Sequence, residues 1–121
     1  MHTCLIVDDS RVVRKVARRI LEAHGFTVEE AEDGVAALEA CRARMPDSVL
    51  LDWNMPRMNG IEFLKALREE FGPGKPPVLF CTTESDIAYI EQAIANGAQE
   101  FIMKPFDSEI LIGKFAQVGI A

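Results

Sequence analysis

Cysteine is scarce and poorly spaced for cross-linking. Only Cys4, Cys41 and Cys81 are present, an odd number with no C-x-x-C pair. This argues against a disulfide framework and against a zinc site built on paired thiols. Cys4 and Cys81 fall inside apolar runs, where a free thiol acts as a small buried hydrophobe. No apolar run approaches the ~20 residues a membrane helix needs. The N-terminus has no basic stretch leading into a long apolar segment, so no signal peptide and no membrane partner are expected. A cytoplasmic location is the expectation. Positive charge is also short: 13 Lys and Arg stand against 19 Asp and Glu, a net charge of −6. Nucleic-acid binding rests on Lys and Arg contacts to phosphate, so no nucleic-acid partner is expected. An acidic balance suits protein partners and a divalent cation. Internal repeats and low-complexity segments are lacking too. No glycine-rich loop follows the first apolar run, which makes a P-loop or dinucleotide site a poor reading.

What remains is the composition of a soluble globular chain, 49% hydrophobic and 26% charged over 121 residues. That length is one domain's worth. Residues 1–121 are therefore read as a single domain with no room for an attached output module.

Short apolar runs alternate with helix-period segments. Cys4-Leu5-Ile6-Val7 stops at Asp8-Asp9-Ser10. Val12, Val16 and Ile20 then recur at four-residue spacing, with Val13, Ala17 and Leu21 beside them, and predict the core stripe of a helix capped by Ser10. A second strand begins at Phe26-Thr27-Val28, and Asp33-Gly34 opens a helix carrying Ala37, Leu38 and Cys41. Ser48-Val49-Leu50-Leu51 is a third strand ending at Asp52. Asn59-Gly60 precedes a helix with Ile61, Leu64, Leu67 and Phe71 at core spacing. Residues 72–77 are a Pro/Gly loop. Val78-Leu79-Phe80-Cys81 leads to Thr82-Thr83, then a helix with Ile87, Ile90 and Ile94 on one side. Phe101-Ile102-Met103 precedes Lys104-Pro105, and Asp107 can cap a last helix with Ile110, Leu111, Phe115 and Val118. Five strand–helix units in a row, several with continuously apolar strands, predict an α/β parallel sheet covered on both faces.

Ligands of such sheets bind at the carboxyl ends of the strands. Those ends carry Asp8 and Asp9, then Asp52 with Asn54 just beyond, then Thr82 and Thr83, then Lys104. Three carboxylates against one ammonium leave excess negative charge. Two like charges ~4 Å apart repel by roughly 4 kcal/mol at an effective dielectric of 20. A hard divalent cation with oxygen ligands relieves this, and Mg²⁺ also accepts a phosphate oxygen. A carboxylate can itself accept a phosphoryl group as nucleophile, with Lys104 and a threonine hydroxyl facing the phosphoryl oxygens.

The motifs L-I-V-D-D-S at 5–10, L-L-D-W-N-M-P at 50–56, N-G at 59–60, C-T-T-E at 81–84 and K-P-F at 104–106 together resemble a response-regulator receiver domain of the stand-alone, chemotaxis (CheY)-like type. The resemblance covers essentially the whole chain. It implies a doubly wound, flavodoxin-like (βα)5 fold with strand order 2-1-3-4-5. Asp52 resembles the phosphoacceptor, and Asp8 and Asp9 the Mg²⁺ carboxylates, with Asp52 and the Asn54 backbone carbonyl completing the protein ligands. Thr82 resembles the switch hydroxyl, Lys104 the phosphoryl partner, and Pro105 a proline that is typically cis. Phe101 falls at the aromatic switch position. Asn54 and Glu84 fall where the family tunes dephosphorylation. The implied partners are a histidine kinase or histidine phosphotransfer protein and a downstream protein on the face formed by the fourth helix, fifth strand and fifth helix, the receiver itself being a monomer. Such a protein is a signalling receiver and not an enzyme in the ordinary sense, since it catalyses only its own phosphorylation and dephosphorylation.

Two other readings use the same residues. A haloacid-dehalogenase-type phosphatase also has a strand-end Asp nucleophile, but needs a second Asp two residues on, where this chain has Asn54. A phosphorylation-independent binding module would not need the phospho-site residues, all of which are present. Trp53 reads equally as a rim residue or a packing group. Departures from the motility pattern are Thr83, where a smaller residue is common, Asp86 and Asp107 flanking the output face, and Phe101, which lacks a tyrosine hydroxyl.

Overall fold

A computed structural model describes residues 2–120, the Glu84 side chain excepted. Strands β1 (Thr3–Val7), β2 (Thr27–Ala31), β3 (Ser48–Asp52), β4 (Val78–Thr82) and β5 (Glu100–Met103) alternate with helices α1 (Arg11–Ala23), α2 (Gly34–Ala43), α3 (Gly60–Phe71), α4 (Tyr89–Ala95) and α5 (Ser108–Gln117). The strands form one parallel sheet in the order β2-β1-β3-β4-β5. This is the doubly wound architecture expected above.

Alternation along each strand divides the core in two. Leu5, Val7, Leu51 and Phe80 face α2, α3 and α4, where Leu38, Leu64, Leu67 and Ala93 meet them. Cys4, Ile6, Leu50, Leu79 and Ile102 face α1 and α5, where Ala17, Leu21, Leu111 and Phe115 close the other side. The central strand β3 is buried along its whole length. All three cysteines are buried free thiols.

Helix starts follow the capping chemistry in the sequence. Ser10, Asp33 and Asp107 each accept from the backbone N–H three residues on, and Asn59 forms a reciprocal capping box with Glu62. Edge strand β5 has a comparable local device: Phe101 N donates to the carboxylate of its neighbour Glu100 at 2.9 Å.

Exposure on four helices differs from the periodicity reading. On α1, Ala17 and Leu21 are buried, whereas Val12 is 71% and Val16 47% exposed. Two apolar rows lie one residue apart on this helix, and its roll is fixed elsewhere. Arg14 and Arg18 both reach Glu30 on β2, and the small Ala17 permits close approach to the sheet. Ile87 precedes α4 instead of lying within it, because Glu84–Asp86 form a 3₁₀ turn first. Ile87 and Ile94 are exposed, and Ala93 is the side chain α4 buries. Phe71 and Ile110 are likewise exposed, on the outer sides of α3 and α5.

Candidate functional site

Parallel strands deliver all their carboxyl ends to one edge of the sheet. Asp8 and Asp9 follow β1, Asp52 ends the neighbouring β3, Thr82 ends β4, and Lys104 follows β5. Gly60 brings α3 directly beneath this edge. Its N–H donates to Trp53 O at 2.9 Å, and a Cβ there would lie 2.5 Å from Asp52 O, so only glycine fits.

Lys104 joins the two strands that flank the reversal of strand order. Its Nζ lies 2.7 Å from Asp8 Oδ2 and 2.7 Å from Asp52 Oδ1. Its backbone N–H donates to Thr82 O at 2.7 Å, which holds the lysine against β4. The Lys104–Pro105 peptide is cis, as the resemblance implies. Asp8 is further fixed by Ser10 N, which donates to its Oδ1, and by Arg14, whose guanidinium donates to its backbone carbonyl. Asp8 and Asp52 are buried, whereas Asp9 is exposed and makes no hydrogen bond or ion pair among the described residues.

The electrostatics match the excess of acid. Burial pushes the Asp52 carboxyl up to about 6, against the opposing pull of Lys104 and with added repulsion from Asp8 and Asp9. Burial works against the Lys104 ammonium, but its hydrogen bonds to Asp52 and Asp8 hold it above its ordinary range. One oxygen each of Asp8, Asp9 and Asp52 lie within 4.8 Å of one another. A set of hard carboxylate oxygens with net negative charge fits Mg²⁺ and not a thiophilic metal.

The remaining predicted residues lie around this centre with different degrees of engagement. Thr82 is buried, but its hydroxyl donates to Asp86 O at 3.2 Å and is turned toward the 3₁₀ turn. Asn54 is exposed on the β3–α3 loop. Glu84 opens the 3₁₀ turn, and its side chain lies outside the described residues. Phe101 is half-buried on β5, with Lys114 Nζ 4.6 Å from its ring centroid.

Three features were not read from the sequence. Trp53 stacks on Tyr89 at the start of α4. Arg57 pairs with Asp33 across the rim. Val12, Val13, Val16, Pro105 and Phe106 line an apolar groove of about 320 Å³ that reaches Lys104. The exposed row Val12–Val16 was visible as a pattern, but as a candidate core. The two pairings join residues far apart in sequence and leave no periodic signal.

A sequence profile of the response regulator receiver domain matches residues 4–116. The chain belongs to this family. Chemotaxis protein CheY1 of Helicobacter pylori is 37% identical to this receiver over 116 residues, 94% of each chain. Response regulator MprA of Mycobacterium ulcerans is 38% identical over 91% of this receiver, which spans only 47% of that longer protein. Among solved structures, the chemotaxis response regulator CheY4 of Vibrio cholerae superposes with a TM-score of 0.90 at 36% identity, covering 98% of both chains. NtrX of Brucella abortus also gives 0.90, at 30% identity, over 99% of this receiver and 27% of NtrX. As a receiver the chain is a two-component signalling module, and among its described residues no helix is long and apolar enough to cross a membrane.

Proposed function

We propose that this receiver is a stand-alone response regulator whose Asp52 accepts a phosphoryl group from the phosphohistidine of a kinase or phosphotransfer protein. The observation that carries the reading is the buried Asp52 carboxylate, bound by Lys104 at 2.7 Å and grouped with Asp8 and Asp9. In the transfer, a carboxylate oxygen of Asp52 attacks phosphorus, the histidine N–P bond breaks, and an acyl phosphate forms. Asp8, Asp9, Asp52 and the Asn54 carbonyl would hold Mg²⁺, which would supply charge neutralisation for the phosphoryl oxygens. Lys104 is bonded to both buried acids and stays beside the phosphoryl group as a second cation.

Phosphorylation adds about two negative charges and new acceptor oxygens. Thr82 leaves its bond to Asp86 O for the phosphoryl group, and Phe101 rotates into the space vacated. The surface of α4, β5 and α5, where Ile87, Ile94 and Ile110 stand exposed, changes shape for a downstream protein. Asn54 and Glu84 orient the water that ends the signal. The apolar groove beside Lys104 seats the phosphodonor, because a partner lying on Val12 and Val16 reaches Asp52 past Lys104. Arg11, Lys15 and Arg19, exposed along α1, favour an acidic partner there. The receiver works in the cytoplasm as a monomer and turns over only its own phosphoryl group.

Mass spectrometry after incubation with acetyl phosphate tests this reading. A Mg²⁺-dependent phosphoryl adduct on wild type and none on Asp52→Asn is expected. No adduct from either acetyl phosphate or a phosphorylated kinase would overturn it.

A further inference from the structure

The rim of the site holds an arginine that the chemistry above does not use. Arg57 sits on the β3–α3 loop at φ 66, the only non-glycine residue with positive φ among those described. That conformation is costly for a side chain as large as arginine and persists only where neighbours dictate it. Two adjacent contacts do so. Asp33 Oδ2 accepts from Arg57 Nε at 2.8 Å and lies 2.7 Å from Nη2. Gly34 N donates to Met58 O at 3.1 Å, with no room for a Cβ against the Met58 side chain. The start of α2 is thus clamped to the loop that follows Asp52.

The pair has a structural part, since it neutralises an Asp33 carboxylate that is only 4% exposed, although the Arg57 side chain is itself 60% exposed. Its position is more telling. Asp9, Glu32, Asp33, Pro56 and Arg57 line one hollow of about 420 Å³ beside the acid cluster. Asp9 is exposed and has no protein partner among the described residues. A guanidinium loose in this hollow would find Asp9 and hold it in a bidentate pair, the arrangement arginine favours.

We propose that Asp33 is a positioning residue for metal binding: it ties down the Arg57 guanidinium and so keeps the Asp9 carboxylate open to a divalent cation. The proposal rests on the Mg²⁺ reading of the Asp8–Asp9–Asp52 cluster. Asp33 also caps α2 through its Oδ1, which accepts from Ala36 N at 2.8 Å, so the test must preserve the cap. Asn retains that acceptor and removes the charge that holds Arg57.

The experiment titrates Mg²⁺ alone into wild type, Asp33→Asn, Arg57→Asn and the double variant, with Trp53 emission and calorimetry as readouts. Asn is used at position 57 because it tolerates positive φ. Asp33→Asn should bind Mg²⁺ about tenfold more weakly, in the range for residues just outside a ligand shell. Arg57→Asn should bind as wild type does or more tightly. The double variant should return to the affinity of Arg57→Asn. A helix cap or a general loosening of the loop would not be rescued by deleting Arg57. An unrescued double variant would therefore overturn the proposal, as would unchanged affinity in Asp33→Asn, the result expected if freed Arg57 turns to Glu32. If Asp33→Asn does not fold, Asp33→Ser, which also caps, takes its place under the same criteria. A wild type that binds no Mg²⁺ would overturn the metal reading and this proposal together, whereas a binding wild type with no rescue overturns this one alone.

Discussion

Trp53 and Tyr89 lie face to face, with ring centroids 3.7 Å apart and planes 21° from parallel. One ring follows Asp52 directly in the chain, and the other begins α4. The stack is therefore a direct packing link between the strand that ends at Asp52 and a helix of the proposed output surface. Aromatic pairs contribute about 0.5–1.5 kcal/mol beyond their buried area. Tyr89→Ala should cost about 1–2 kcal/mol in urea unfolding. It should also shift the emission of Trp53, the only tryptophan, toward that of a hydrated indole. Unchanged emission would mean that the stack does not persist in solution.

The elevated Asp52 carboxyl makes a signed prediction about stability. Its folded value of about 6 stands above the 3.8 of a free aspartate. The folded protein therefore holds this proton more tightly than the unfolded chain does. The resulting stabilisation is complete below about pH 4 and is lost as pH rises through about 6, a loss of about 3 kcal/mol. Lys104, held above its ordinary range, loses its contribution only in strongly alkaline solution, outside that window. In the presence of a chelator, Asp52→Asn should be more stable than wild type at pH 7, with the difference vanishing near pH 4. Urea midpoints across that range measure it. A difference independent of pH would show that Asp52 titrates alike in the two states.

The groove beside Lys104 separates two kinds of phosphodonor. Acetyl phosphate needs no docking surface, whereas a phosphohistidine protein must be seated. Val16 is 47% exposed and lines the groove. Val16→Asp should slow transfer from the protein donor by about tenfold or more, the size of effect expected for a buried interface contact. Labelling by acetyl phosphate should be unaffected. Equal slowing of both reactions would place the effect in the site and not in docking.

The alternation of strands and helices was legible because each element carries its own period, and the strand-end acids were legible because a parallel sheet must bring such ends together. Asp8, Asp52 and Lys104 meet as that logic requires. The roll of α1 was not legible: the rows Val12–Val16 and Val13–Ala17–Leu21 are both apolar, and the choice between them depends on Arg14 and Arg18 reaching Glu30 on another strand. The isoleucines of α4 misled for a related reason, since a helix can pack through one alanine, Ala93, and leave larger side chains outside. The clamp of Arg57 by Asp33 was hidden altogether, because no local pattern marks a charge pair across two loops.

The hydrogen bond from Phe101 N to Glu100 has a consequence for colloidal behaviour. An edge strand with free N–H groups is a template for another chain to add to, by the same pairing that builds amyloid. On β5 that donor is already occupied by the neighbouring carboxylate. At the opposite margin, β2 carries Glu29, whose charge opposes a second copy of the same edge. Both margins of the sheet thus discourage strand addition, which leaves the β5 surface free to repack without opening a route to fibrils.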